Sequence, residues 1–141
     1  MPGSTPDPLT APVRSLADLE APSGPGGTAG GGSPVPVVTP PGTTLLSGPA
    51  LAALPVVRVG TWRLVARSAD DRYLLVEVAY GGCDRLAALD VAAPANAVTV
   101  TPQLRSPQGA VVCPQIAALA RFVVDLGAPL GTRPLLHPPS T

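Results

Sequence analysis

From residue 56 onward the chain alternates apolar and polar positions with the two-residue period of half-buried strands. Residues 56–67 (VVRVGTWRLVAR) run apolar to Gly60 and then alternate, with Trp62, Leu64 and Ala66 on one side and Arg63 and Arg67 on the other. This predicts a strand that bends or bulges at the glycine. Ser68-Ala69-Asp70-Asp71 has turn composition, and Tyr73 to Tyr80 (YLLVEVAY) follows with Leu74, Val76, Val78 and Tyr80 on one face and Glu77 opposite. A hairpin is the economical reading, ended by Gly81-Gly82.

Residues 86–91 (LAALDV) suit a short strand or one helical turn. In 97–105 (AVTVTPQLR), Val98, Val100 and Leu104 alternate with Thr99, Thr101, Gln103 and Arg105, which predicts a further strand. Pro102 lacks an amide proton and so points to an edge strand or a break in it. Ser106-Pro107-Gln108-Gly109 supplies a turn before the apolar run 110–113 (AVVC), so a second hairpin is expected there. The stretch Pro114 to Leu126 fits a helical period through Ile116, Leu119, Ala120 and Val123 and a strand period through Ala118, Ala120, Phe122, Val124 and Leu126. The reading adopted is a helical turn running into a strand. Arg133 to Leu136 adds a last short strand, and His137 to Thr141 should fray.

Before residue 56 no such period persists. Residues 1–55 hold 12 of the 20 Pro and 9 of the 15 Gly, in runs such as SGPGGTAGGGSPVPVVTPPG. A segment of that kind buries too little surface to offset its ordering entropy, which predicts a flexible coil with polyproline II pieces. Residues 13–20 (VRSLADLE) are a local exception, with Ser15 placed to cap a helical turn too short to persist alone. The expected architecture is therefore mainly β: a small antiparallel β sandwich or curled sheet over 56–137, a disordered Pro/Gly-rich leader or tether over 1–55, and a frayed tail over 138–141. No transmembrane segment is predicted, because the best apolar stretch, Leu45 to Val59, is interrupted by Gly48, Pro49 and Pro55 and contains Arg58.

Charge narrows the function classes. Nine Arg balance nine acids, with no Lys, for a formal net charge of zero. Such a chain exerts little long-range attraction on nucleic acid. With aromatics at 3%, Trp62, Tyr73 and Tyr80 are too few for a sugar- or base-stacking platform. Arg63, Arg67 and Arg72 cluster around the first hairpin and are the candidates for a binding surface, although Asp70 and Asp71 in the same turn favour a self-compensated one.

Cys83 and Cys113, thirty positions apart, each border a predicted strand. A structural disulfide is the leading reading, and two independent buried thiols are the alternative. The bonded reading implies an oxidising, extracytoplasmic compartment; the other implies a cytoplasmic one. No export signal starts at Met1, so the first reading expects a signal upstream of this sequence.

Catalytic and metal chemistry find little purchase. A Cys/His nucleophile pair would need the single His137, predicted to fray, beside a cysteine predicted to be bonded. Zinc would have to take Cys83, Cys113, Asp84 and His137 without any Cys-x-x-Cys or His-x-x-x-His spacing. Asp70-Asp71 lacks a third acid for calcium, and the glycines at 30–32 lack the Lys of a phosphate-binding loop. Glu77, Asp84, Asp90 and Asp125 are the acids a hydrolase would draw on, and no spacing singles out a pair. The expectation is no enzyme, no catalytic residue, no metal and no cofactor.

Tyr80-Gly81-Gly82-Cys83-Asp84, the second cysteine at 113, and Ala128-Pro129-Leu130-Gly131-Thr132-Arg133 resemble a pattern of uncharacterised extracytoplasmic and lipoprotein-type small β domains of high-GC Gram-positive bacteria. The resemblance spans about 62–137. It implies a small β domain with a Cys–Cys link outside the membrane, and no activity. The function expected is that of a noncatalytic, envelope-associated domain that binds an unknown protein or cell-surface ligand. The alternative is an intracellular accessory or assembly domain with two free thiols.

Overall fold

The computed structural model describes residues 5–7, 9–21, 34–109, 112–113 and 117–138. Along the chain the elements are β1 (Thr5–Pro6), α1 (Leu16–Glu20), β2 (Val37–Val38), β3 (Gly42–Thr44), α2 (Pro49–Ala52), β4 (Val56–Val59), β5 (Thr61–Arg67), β6 (Tyr73–Gly81), β7 (Arg85–Ala92), β8 (Val98–Ser106), β9 (Ala117–Asp125) and β10 (Leu135–His137).

They form two sheets packed face to face as a small, mainly β sandwich. In the first sheet β8 is central, with β7 along one side and the other side shared by β4 and β10. β3 extends this sheet beyond β7, and β1 extends it beyond β10. The second sheet has the order β2-β9-β6-β5. The long pairings are antiparallel, while β10 on β8 and β2 on β9 run parallel.

The alternation along the strands fills the space between the sheets. Val98, Val100, Pro102 and Leu104 point inward from β8, against Leu74, Val76 and Val78 from β6 and Phe122 and Val124 from β9. Each such aliphatic side chain contributes about 1.5–3 kcal/mol by leaving water. Trp62 bridges the layers, its indole Nε1–H donating to the Val100 carbonyl at 2.8 Å.

The bend expected at Gly60 is a change of sheet: β4 lies in the first sheet and β5 in the second. Gly60 N–H donates to the Pro102 carbonyl at 2.9 Å. A Cβ at Gly60 would sit 3.2 Å from the Pro102 and Leu104 side chains, so the crossing is made where the side chain is absent. Pro102 is accordingly not on an edge strand, as the sequence suggested, but within the central one. Its carbonyl and ring nitrogen face the same flank, where β4 ends and β10 has not yet begun, so the missing amide costs no ladder bond.

Two register shifts explain where periodicity misled or failed. Between Leu64 and Ala66 a bulge reverses the facing of β5, so Trp62 and Leu64 point into the sandwich while Ala66 packs outside it with Leu75 and Val123. Between Leu86 and Ala88 a second shift lets Leu86, Leu89 and Val91 all face inward, which is why LAALDV fits no single period.

Residues 5–55 carry no extended period, yet their described parts dock on both sheets. β1 pairs with β10, and Val13 bridges Arg67 through Arg14 N–H to Arg67 O at 2.8 Å and Arg67 N–H to Pro12 O at 3.0 Å. Ser15 caps α1 by accepting from Asp18 N–H at 3.3 Å, and α1 buries Leu19 on the outer face of the second sheet with Val35. These contacts are single side chains and backbone bonds, which leave no periodic trace. The glycine-rich stretch at 22–33 lies outside the described residues, as do 114–116, where the helical turn was expected, and 139–141 of the tail. β8 forms its hairpin with β7; Val112 and Cys113, in the expected second hairpin, carry no strand, and residues 110–111 lie outside the described ones. His137 is not frayed: it belongs to β10, stacks on Trp62 with ring centroids 3.9 Å apart, and its Nε2 lies 3.0 Å from Asp7 Oδ2.

Candidate functional site

At the end of the sandwich where β6 gives way to β7, the chain turns through Gly81-Gly82-Cys83-Asp84. Gly82 takes φ +65°, a left-handed conformation that glycine adopts without strain, and Asp84 N–H donates to the Gly81 carbonyl at 3.1 Å. This turn carries Cys83 to Cys113 with 5.1 Å between Cα atoms, and the two are joined in a disulfide. Asp84 accepts a hydrogen bond from the Ser106 hydroxyl at the end of β8.

Sheet register assigns the neighbouring arginines to opposite sides of this rim. Arg58 pairs with Leu104, and Leu104 pairs with Leu86, so all three point to the inner side. At that end the core has stopped, and Arg58 reaches into an open cleft of about 350 Å³ with Gly81, Asp84, Ser106 and Cys113. One rung further, Val57, Arg105 and Arg85 share the outer side. Arg105 donates to the Leu54 and Leu51 carbonyls at 2.6 and 3.2 Å, pinning the end of α2 against this side of the sheet. Between them Leu46, Ala50, Ala53, Leu54 and Arg85 line a mainly apolar hollow of about 400 Å³. Gly82, Cys83 and Pro107 wall both compartments and form the ridge between them. Both Arg58 and Arg85 are exposed, and neither makes a hydrogen bond or ion pair with a described residue.

The three arginines singled out by sequence do not share a face. Arg63 lies outside the second sheet and donates to Glu77 at 2.8 Å, opposite Arg121, which donates to the same carboxylate at 2.8 Å. The bonded Arg121 guanidinium, aided by Arg63, holds the Glu77 carboxyl below the ordinary carboxylate range against the opposing effect of desolvation. Arg67, beyond the bulge, pairs with Asp71 at 2.7 Å and donates to the Ala11 carbonyl. Arg72 donates to Asp125 at 3.0 Å and lies over the Tyr73 ring. Burial alone would raise the Asp125 carboxyl, but Arg72 and the Gly127 amide outweigh it and leave it lowered.

The other sequence candidates are dispersed. Asp70 accepts from the Ser68 hydroxyl and the Arg72 amide, which lowers its carboxyl and closes the hairpin turn. Asp90 accepts from the Gln103 side chain, and His137 sits with Trp62 and Asp7. Among the described residues no group of three or more His, Cys, Asp or Glu stands close enough to hold a metal ion. No helix of the described residues is long and apolar enough to cross a membrane. Arg58 and Arg85, which sequence alone did not single out, differ from Arg63, Arg67, Arg72 and Arg121 in having no carboxylate bonded to them, and that depends on strand pairing. Comparison of the chain with family models, curated proteins and solved structures finds no significant match.

Proposed function

We propose that this chain is a noncatalytic binding domain of an extracytoplasmic, envelope-associated protein, directed at a protein or cell-surface ligand. The observation that carries the reading is the Cys83–Cys113 disulfide, because such a link between two loops persists in oxidising compartments and is rare where glutathione keeps thiols reduced. The resemblance of the Gly-Gly-Cys turn and the 128–133 segment to extracytoplasmic domains of high-GC Gram-positive bacteria supports the same address. A binding role is supported by the open cleft at the disulfide end, whose exposed Arg58 and Arg85 make no ion pair with a described residue.

Thiol titration in denaturant, on protein purified from its native host without reductant, tests the compartment. The expected result is near-zero free thiol, with two thiols appearing only after reduction. Two reactive thiols at the outset overturn the reading and favour an intracellular assembly domain.

A further inference from the structure

We propose that the two-sided cleft around Cys83 and Pro107 receives an extended acidic segment of a partner protein, one that also carries an apolar side chain. The proposal rests on the binding-domain reading and names the site and the chemistry of its partner. Its basis is charge left over after the internal pairing is done. Arg63, Arg67, Arg72 and Arg121 are each matched to a carboxylate within 3.0 Å; Arg14, before α1 and away from the cleft, is not matched among the described residues, and neither are Arg58 and Arg85. Both of the latter stand at one rim. Asp84, between them in sequence, is turned to the Ser106 hydroxyl. Arg105 adds a further positive charge held by the carbonyls of residues 51 and 54. At this end of a molecule of zero net charge, Arg58, Arg85 and Arg105 outnumber Asp84, the one carboxylate among the described residues lining the cleft, so partner carboxylates gain there.

The shape selects an extended chain over a compact ligand. One guanidinium lies on each flank of the Gly82-Cys83-Pro107 ridge, and neither compartment closes over its contents. Side chains of an extended segment alternate sides along the backbone, so a segment lying across the ridge presents carboxylates to Arg58 and to Arg85 in turn. The hollow lined by Leu46, Ala50, Ala53 and Leu54 takes an apolar side chain next to the Arg85 contact. A polyanion such as nucleic acid would meet the arginines but leave that hollow empty.

The test is selection of a phage-displayed random peptide library on the intact, disulfide-bonded chain, followed by fluorescence anisotropy with the recovered peptides made synthetically. Peptides enriched in Asp or Glu beside an apolar residue are expected. Arg58→Gln and Arg85→Gln should each weaken their binding by about threefold, and the double variant by about tenfold. Arg14→Gln, which removes the same charge from an exposed arginine away from the cleft, should leave it unchanged. Both cleft side chains are exposed, so unchanged circular dichroism and melting of the variants will show that the fold is intact. Recovered peptides without acidic enrichment, or acidic peptides insensitive to both cleft substitutions, overturn the cleft proposal while leaving a binding domain in place. Failure to recover any binding peptide overturns the cleft proposal and leaves a domain for a non-peptide cell-surface ligand in place, whereas free thiols in the native protein overturn the envelope-associated reading itself.

Discussion

Glu77 is 5% exposed, on a sheet face that also carries the largely exposed Arg63. Taking a carboxylate that far out of water is costly unless its oxygens are paired, and here each oxygen accepts from a different guanidinium. Its pKa is lower in the folded chain than in the unfolded one, so its contribution to stability is complete above the unfolded value near 4 and is lost as pH falls through the folded value. Glu77→Gln should cost about 1–2 kcal/mol at pH 7, most of it from the Arg121 bond, because water screens Arg63. Urea unfolding at pH 7 and at pH 3 will check this: the difference between the two proteins should shrink at the lower pH, and a gap that stays constant would show that the carboxylate's charge is irrelevant. Gly60→Ala probes a different residue-scale constraint. Its new methyl group meets Pro102 and Leu104 at 3.2 Å inside the core, and the same assay should show a loss of about 1–3 kcal/mol.

At the scale of elements, the described parts of residues 5–55 are held by a few anchors. Leu19 on α1 is the largest, fully buried against Val35, Ala66, Leu75 and Val123. Arg67 N–H donates to Pro12 and Val123 N–H to Pro36, so these two amides report on the docked segments on either side of α1. Leu19→Ala should speed hydrogen exchange at Arg67 and Val123 well before it affects Val76 or Val100 in the central ladders. Equal acceleration everywhere would mean that the segments and the sandwich unfold as one unit. The same elements mark what could be read in the sequence. The β5–β6 hairpin and the inward faces of β6 and β8 were legible because apolar side chains recur at every second position on those faces. The docking of α1, β1, β2 and β3 was not, since a five-residue helix and strands of two or three residues are too short to establish a period. Bulges hid the facing of Ala66 and the strand at 86–91, and Pro102 looked like an edge residue because nothing local shows that its neighbour strand departs at Gly60. Of the cleft, the sequence held the cysteine pair and the glycine turn. It could not distinguish Arg58 and Arg85 from paired arginines, because their isolation is a property of strand register.

At the scale of the whole molecule, the disulfide closes a loop of sequence separation 30 that contains β7 and β8, the central hairpin of the first sheet. That hairpin is already fixed by its own ladder and by the core, so the bond adds little to native contacts and acts chiefly on the unfolded chain. On the loop-entropy model the link removes freedom worth about 3–4 kcal/mol, a large part of the 5–15 kcal/mol typical of a small domain. The Cys83→Ser/Cys113→Ser double variant should therefore remain folded at 25 °C, with a thermal midpoint lower by roughly 10–20 °C, and either single variant should match it once intermolecular pairing is blocked. Calorimetry with circular dichroism of the same samples checks both halves of the expectation. A midpoint within 2 °C of the parent would mean that residues 83 and 113 are held together in the unfolded ensemble by other means. An unfolded double variant at 25 °C would mean instead that the bond is needed to form the sandwich, which would tie folding itself to an oxidising compartment.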